Sequence, residues 1–355
     1  MPATRRADQS WSNSLTIDLF IKVLNNSIFH PFVASLIPLC LRAGEVPYSA
    51  PAFRNTVYWA IFVCILHILA PINERIAYGK PRKVDHEEEI VVITGGASGL
   101  GRCIAEIFAL KGTTVVVLDV KSVSSQEEIE GVEHYQCDVG DPKTLEQTWA
   151  RINAEIGLPT VLINNAGIVH GKKLLDLSPA DVEKTFRVNT MAQYTLTSLF
   201  LRPLLNHPNG GTIVTISSVL AKLGAAHLSA YTASKAALLA YHASISAELS
   251  SHPNIKTILV TPGQLSTEMF SGLHQNALQR FFGPVVEVQD LAVKLVKMIG
   301  EGRSGVLSEP AYTRWIALLD VMPVGLSKLM RKAGGIDTAM STFRPCPDAS
   351  GMKVE

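Results

Sequence analysis

The sequence predicts an α/β fold: one doubly wound parallel sheet, preceded by apolar helices and followed by an apolar helical tail. Three observations carry that prediction. Across residues 88–310, short apolar β-branched runs alternate with stretches of helical spacing. The runs are apolar at successive positions, the pattern of strands covered on both faces. Upstream, residues 57–72 read VYWAIFVCILHILAPI, sixteen positions without a formal charge. The chain therefore divides into a membrane-anchoring region (1–84), the sheet domain (85–310) and an amphipathic helical tail (311–355).

Taken in order, the apolar run at 57–72 is shorter than the roughly 20 residues that a straight helix needs to cross a bilayer. Tyr58 and Trp59 supply interfacial anchors, so a span or deep insertion is expected. Residues 27–41 are also apolar but carry His30, Pro31 and Pro38. Prolines bend a helix, so this stretch reads as a re-entrant or interfacial partner of the second. The competing reading is a pair of buried helices capping the globular domain. Asp18 and Lys22 interrupt the first apolar run and no small-residue cleavage site follows, which argues against a cleaved signal. Arg75, Lys80, Arg82 and Lys83 come next. Basic residues favour the cytoplasmic side, so the large domain is expected in the cytosol.

Within the sheet domain, residues 90–94, 114–118, 161–163, 212–216 and 257–260 are buried-strand candidates. Helical stretches lie at 99–110, 144–156, 182–205, 231–249 and 288–299. Right-handed crossovers between such strands give the doubly wound arrangement. In the tail, an apolar run from Trp315 to Met330 is broken at Pro323 and surrounded by Arg314, Lys328, Arg331 and Lys332. It fits an anionic membrane surface or a helix packed over a substrate pocket; periodicity does not separate the two.

Composition excludes some classes. A net charge of +1 over 355 residues gives no global field for nucleic acid. The five cysteines, Cys40, Cys64, Cys103, Cys137 and Cys346, form no CxxC pair and no Cys/His cluster at zinc spacing. No metal site is expected, and a reduced compartment with structural thiols is.

The first chemical signal is Thr94-Gly95-Gly96-Ala97-Ser98-Gly99-Leu100-Gly101, between a strand and a helix. Gly95 allows a tight turn, Gly99 lets the backbone approach a pyrophosphate, and Gly101 permits close packing of helix on strand. The helix N-terminus offers N–H donors to the phosphates. Three glycines alone also describe an ordinary loop. Asp119 ends the next strand, where a carboxylate accepts hydrogen bonds from an adenosine ribose. It would repel a 2′-phosphate, and no basic residue lies within Gly95–Gly99 to offset that, so NAD is favoured and NADP is the alternative. Cys137-Asp138-Val139 follows a third strand, where Asp138 could meet the adenine amino group or serve as a turn or cap residue.

The second signal is a reacting centre. Tyr231 and Lys235 share a helix face. Ser218 lies thirteen residues before Tyr231, just after the run GTIVTIS, where strand ends at the carboxyl edge bind ligands. Asn189 follows the turn Asn164-Asn165-Ala166-Gly167. A carbinol must lose its hydroxyl proton as hydride leaves. Tyrosine, with an ordinary pKa of about 10, needs help to act as a base at neutral pH. A nearby ammonium and a positive nicotinamide ring both favour the phenolate. Lys235 can supply the first and hold the nicotinamide ribose. Ser218 can orient the substrate oxygen, and Asn189 can hold a water that relays protons from Lys235 to solvent. Ser218 as a hydrolase nucleophile lacks a GxSxG elbow and an evident histidine base.

TGGASGLG, NNAG, Asn189, Ser218, YTASK (231–235) and Pro262-Gly263 with Thr267 together resemble the short-chain dehydrogenase/reductase family in its classical form, across residues 91–310. The resemblance implies a Rossmann domain, hydride transfer between a nicotinamide cofactor and an alcohol or carbonyl, and cofactor contacts at Leu100, Asn165, Leu265 and Thr267. It also implies pairing into a homodimer through the long helices. The flanks, more loosely, resemble the membrane-bound retinol and 17β-hydroxysteroid dehydrogenase branch. That implies a lipophilic substrate and a membrane of the endoplasmic reticulum or lipid droplet type. Two further readings stand beside a lipid-alcohol dehydrogenase: the same catalyst in a secondary-metabolite pathway, and a non-catalytic dinucleotide-binding membrane scaffold.

Overall fold

The computed structural model describes residues 15–122, 128–267 and 276–336, without the side chains of residues 277 and 278. Two compact units emerge, one of Met1–Lys80 with Arg280–Phe282 and one of Pro81–Gln279 with Gly283–Glu355. The tail thus belongs to the second unit. Cys346 lies outside the described residues.

In the first unit, α1 (Ile17–Asn25) is capped by Thr16, whose hydroxyl accepts from the Leu19 amide at 3.2 Å. Helix α2 (Pro31–Ala43) starts on Pro31, where a missing N–H is harmless. Helix α3 (Pro51–Tyr78) is 28 residues long and ends at Gly79, φ +69°. The sixteen-residue run of the sequence is therefore the middle of a longer helix. At 1.5 Å per residue α3 spans about 42 Å, enough to cross a hydrocarbon core of about 30 Å. Ala34 of α2 packs on Ala60 and Val63 of α3, and Trp59 Nε1 donates to the Ile28 carbonyl at 3.0 Å. The rest of α3 leaves Ile61, Phe62, Ile65, Leu66, Ile68 and Leu69 exposed. A helix apolar all round finds its partner in protein or lipid, not water.

The second unit is a seven-stranded parallel sheet in the order β3-β2-β1-β4-β5-β6-β7. Its strands are β1 (Ile90–Thr94), β2 (Thr114–Asp119), β3 (Val132–Gln136), β4 (Val161–Asn164), β5 (Gly211–Ile216), β6 (Ile255–Pro262) and β7 (Gly305–Glu309). The all-apolar strands have the expected reason. Val91 and Ile93 face α4 (Gly99–Leu110) and α10 (Val288–Gly300), while Val92 faces α5 (Pro142–Glu155), α7 (Ala192–Leu204) and α8 (Ser229–Glu248). β7, read from sequence only as the end of the core, is an edge strand paired with β6. The order reverses between β1 and β4, and the carboxyl ends of the strands there open the crevice that binds ligands in such sheets.

One expected helix is interrupted. Residues 182–205 are not a single helix but α6 (Pro179–Phe186), a π turn (Arg187–Met191) and α7. α6 begins earlier than periodicity suggested because Ser178 and Asp181 form a reciprocal capping box ahead of Pro179. The π turn inserts one extra residue per turn and rotates Asn189 inward, the usual use of such bulges. Past α9 (Ala277–Phe282) and α10, the tail forms α11 (Tyr312–Trp315), a 3₁₀ stretch (Ile316–Asp320) and, after Pro323, α12 (Val324–Ala333).

The amino edge of the sheet is locked by an ion pair. Arg82 holds Glu89 with two bonds of 2.7 and 2.8 Å and donates to Thr212 Oγ1 at 2.9 Å. This joins the residues before β1 to the start of β5, opposite the edge that carries the crevice.

Candidate active site

The turn between β1 and α4 places Gly95 at φ +66° and Gly99 at φ +56°, where a Cβ meets steric resistance. A Cβ on Gly101 would stand 2.7 Å from Asn165 Nδ2 and press on the Gly95 carbonyl. Glycine there lets α4 close down on its own turn. Thr94 stitches this turn to the one after β4, its hydroxyl accepting from the amides of Asn165 and Ala166 at 3.0 Å each. Asn165 Nδ2 returns two bonds, to the carbonyls of Thr94 (3.0 Å) and Gly95 (2.8 Å). Thr94 and Asn165 thus shape the cradle with the groups that sequence alone assigned to the cofactor. Ser98 makes no side-chain cap on the start of α4, where a helix has N–H groups without an intrahelical partner.

Asp119 closes one side. Its carboxylate accepts from the Ala97 and Lys121 amides, both at 3.0 Å, which fastens it against the glycine turn. Asp138 accepts from the Gly140 amide at 2.8 Å, the turn role left open by the sequence, and Val139 is buried beside it. The other side is the segment after β6. Gly263 donates to the Glu309 carbonyl at 2.7 Å, Leu265 bridges to Val286, and Thr267 Cγ2 would lie 3.4 Å from a Cβ on Gly99. Left-handed glycines, an uncapped helix start and a strand-end carboxylate at the switch point fit a dinucleotide.

The reacting centre lies deeper. Tyr231 and Lys235 are both buried on α8. Ser218, after β5, accepts from the Leu220 amide at 3.1 Å, and its hydroxyl neighbours the Tyr231 phenol. Lys235 Nζ donates to the Ile216 carbonyl at 2.9 Å and stands 5.9 Å from the Tyr231 ring centroid. Burial pushes the Tyr231 phenol up to about 12, with the neighbouring Ser218 hydroxyl opposing, and pushes Lys235 down to about 8. In both, the low-dielectric surroundings disfavour the charged form.

Asn189 uses its whole amide. Its Oδ1 accepts from the Ile168 amide at 2.8 Å, and its Nδ2 donates to the Ile168 carbonyl at 3.1 Å and to Ser234 Oγ at 3.0 Å. Gly167 brings the pieces together: a Cβ there would be 3.5 Å from both Asn189 Oδ1 and Lys235 Nζ. Around Tyr231 the walls are apolar, with Leu228, Val169, Leu220 and Ala225 packed together. The arrangement is two neighbouring hydroxyls with an ammonium behind them, against an apolar wall.

The short chain dehydrogenase family model matches residues 89–277. The uncharacterized oxidoreductase TDA5 of Saccharomyces cerevisiae is 35% identical over 261 residues, 71% of this chain and 77% of that protein. The chain belongs to the short-chain dehydrogenase family. Human epidermal retinol dehydrogenase 2 is 31% identical over 274 residues, 74% of this chain and 87% of that one. A solved 4-hydroxyisoleucine dehydrogenase complexed with NADH shares the fold, with a TM-score of 0.54 at 24% identity over 62% of this chain and 96% of that one. As a short-chain dehydrogenase the protein is a nicotinamide-dependent oxidoreductase similar to the retinol dehydrogenases.

Sequence reasoning missed several parts of this dehydrogenase site. The carbonyls of Ile216 and Ile168 act through the backbone, which side-chain identity does not report. Val169 and Leu220 look like any apolar residue past a strand end, whereas Ala225 and Leu228 fall within 224–229, which with 267–284 is a loop on which the sequence reading makes the substrate depend. Residues 268–275, within the second of these loops, lie outside the described residues.

Proposed function

We propose that this dehydrogenase is membrane-anchored and passes hydride between NAD and a lipophilic alcohol or its carbonyl, with Tyr231 as acid and base. The observation that carries the proposal is the buried Tyr231 phenol, beside the Ser218 hydroxyl and within an apolar wall.

A bound nicotinamide supplies the hydride acceptor or donor and, when oxidised, a positive ring. The chain's own residues handle the proton. In oxidation the carbinol O–H gives its proton to the Tyr231 oxygen as hydride leaves carbon; Ser218 Oγ holds the same substrate oxygen. In reduction the phenol donates to the carbonyl oxygen. Burial keeps the phenol protonated at neutral pH, which suits reduction directly. Oxidation needs the Lys235 ammonium and the ring charge to favour the phenolate. Asn189 pins the Ile168 backbone beside Lys235 and so shapes the end of the recess through which the proton leaves.

Asp119 supports NAD over NADP, since a fixed carboxylate at the ribose end repels a 2′-phosphate. The apolar wall of Val169, Leu220, Ala225 and Leu228 supports a retinoid-, steroid- or lipid-like substrate. Helix α3 supports the anchor, being long and apolar enough to cross a bilayer. Arg75, Lys80 and Lys83 after its apolar stretch support a cytosolic catalytic domain on a membrane of the endoplasmic reticulum or lipid droplet type.

The test is purified full-length protein with NAD and a panel of hydrophobic alcohols. Turnover supports the reading; NAD binding with no turnover on any of them makes the chain a dinucleotide sensor. For the anchor, carbonate should release a chain starting at Pro81, which keeps Arg82, from membranes but not the full chain.

A further inference from the structure

Helix α12 is attached the wrong way round for a water-soluble surface. At about 100° per residue, Leu326, Leu329, Met330 and Ala333 fall within one arc of about 100°. That arc is exposed: Leu326 by 46%, Leu329 by 63% and Met330 by 44%. The opposite face carries Val324, Ser327, Lys328 and Arg331, and of these Ser327 and Arg331 are half-buried. Arg331 Nη2 donates to the Gly224 carbonyl at 2.6 Å. The helix therefore meets the domain through Ser327 and Arg331 and holds its apolar arc outward, the reverse of an ordinary amphipathic surface helix.

The preceding turn continues the pattern. Trp315 is 65% exposed, Leu318 47% and Val321 80%. Residues 311–336 hold four basic side chains, Arg314, Lys328, Arg331 and Lys332, against one acidic, Asp320. An apolar arc beside basic residues, with an exposed tryptophan, complements an anionic lipid surface. A second copy is disfavoured by charge, because a self-complementary contact would bring Lys328 and Lys332 toward their own counterparts.

Placement gives the surface a purpose. Gly224, which Arg331 grips, precedes Ala225, part of the apolar wall around Tyr231. We propose that α12, together with Trp315, Leu318 and Val321, lies in an anionic leaflet and sets the mouth of the Tyr231 pocket at its surface, so that a lipid alcohol enters from the leaflet rather than from water. The entry route rests on the lipophilic substrate proposed above; the docking does not.

The test uses full-length protein in phosphatidylcholine vesicles containing phosphatidylserine, with and without brominated acyl chains. The four tryptophans are Trp11, Trp59, Trp149 and Trp315. Trp11→Phe with Trp59→Phe leaves the buried Trp149 and Trp315, and adding Trp315→Phe isolates the signal of Trp315 by difference. That signal should fall at least twofold with brominated chains and respond little to aqueous acrylamide. Quenching by acrylamide alone would place the face in water and overturn the docking. Shielding from both quenchers would show a protein cover, a second copy or residues 337–355, and would overturn it equally. For entry, Leu326→Asp with Leu329→Asp should raise KM about tenfold for a vesicle-partitioned long-chain alcohol. The same pair should leave kcat, and KM for a water-soluble short alcohol, unchanged. Equal loss on both substrates, or on neither, overturns the entry route. If the unaltered protein turns over neither substrate, the catalytic reading fails while the quenching result still decides the docking.

Discussion

Lys235 stands behind Tyr231 rather than sharing a proton with it. Its ammonium stands 5.9 Å from the phenol ring centroid and is hydrogen-bonded to the Ile216 carbonyl at 2.9 Å. With burial as the larger influence, Tyr231 remains a phenol far above neutral pH when no cofactor is bound. Its ionisation should therefore be missing from a tyrosinate absorbance titration up to pH 10, where ordinary tyrosines are half ionised. The check is the difference between the unaltered protein and Tyr231→Phe; a tyrosinate lost below pH 10 would contradict the assignment.

Lys235 has the opposite sign. Its pKa falls from 10.5 to about 8 on burial, so between those values the unfolded chain holds the proton that the folded chain has released. Stability contributed by this group rises with pH over that window and is flat below it. Lys235→Met should remove that rising segment from melting temperatures measured between pH 8 and 10.5, and should cut turnover at least a hundredfold. An unchanged slope would mean that the ammonium is not desolvated.

Asp119 is fixed by the Ala97 and Lys121 amides at the end of β2. Asp119→Ala removes the charge that opposes a 2′-phosphate. The ratio of kcat/KM for NADP to that for NAD should rise at least tenfold, about 1.4 kcal/mol. Steady-state kinetics with both cofactors read it directly, and a ratio that stays put would move the discrimination elsewhere.

Arg82 and Glu89 are nearly sealed from solvent, with side chains 1% and 7% exposed. Glu89→Leu leaves a buried guanidinium without its partner and should cost about 3–5 kcal/mol. Urea midpoints measure this. Because the pair sits at the amino edge of the sheet, turnover per folded molecule should stay within about twofold.

The fold was legible because its strands are buried on both faces. Runs such as IVVIT at 90–94 and TVVVLD at 114–119 cannot be amphipathic surface strands, and β1 and β2 formed where they lay. Glycine positions were legible for a related reason: the backbone at Gly95 and the approach at Gly101 tolerate little else. The π turn at Arg187–Met191 was not, since its driving force is the set of bonds from Asn189 to Ile168 and Ser234, distant in sequence. Helix length was underread at α3 because charge marks where apolarity ends, whereas helical hydrogen bonding continues past Glu74 and Arg75 to Gly79. The orientation of α12 was also hidden. Its period shows an apolar arc, and only the Arg331–Gly224 bond shows that the arc points away from the domain.

The most direct measurement is Tyr231→Phe in the full-length protein, assayed with NAD and a hydrophobic alcohol the unaltered enzyme oxidises. The phenol oxygen is the only atom lost, and Ser218 and Lys235 keep their bonds. Turnover should fall at least a thousandfold while NAD affinity stays within about twofold, since the cradle from Gly95 to Gly101 is untouched. Turnover that survives within tenfold would contradict Tyr231 as the proton-transfer group.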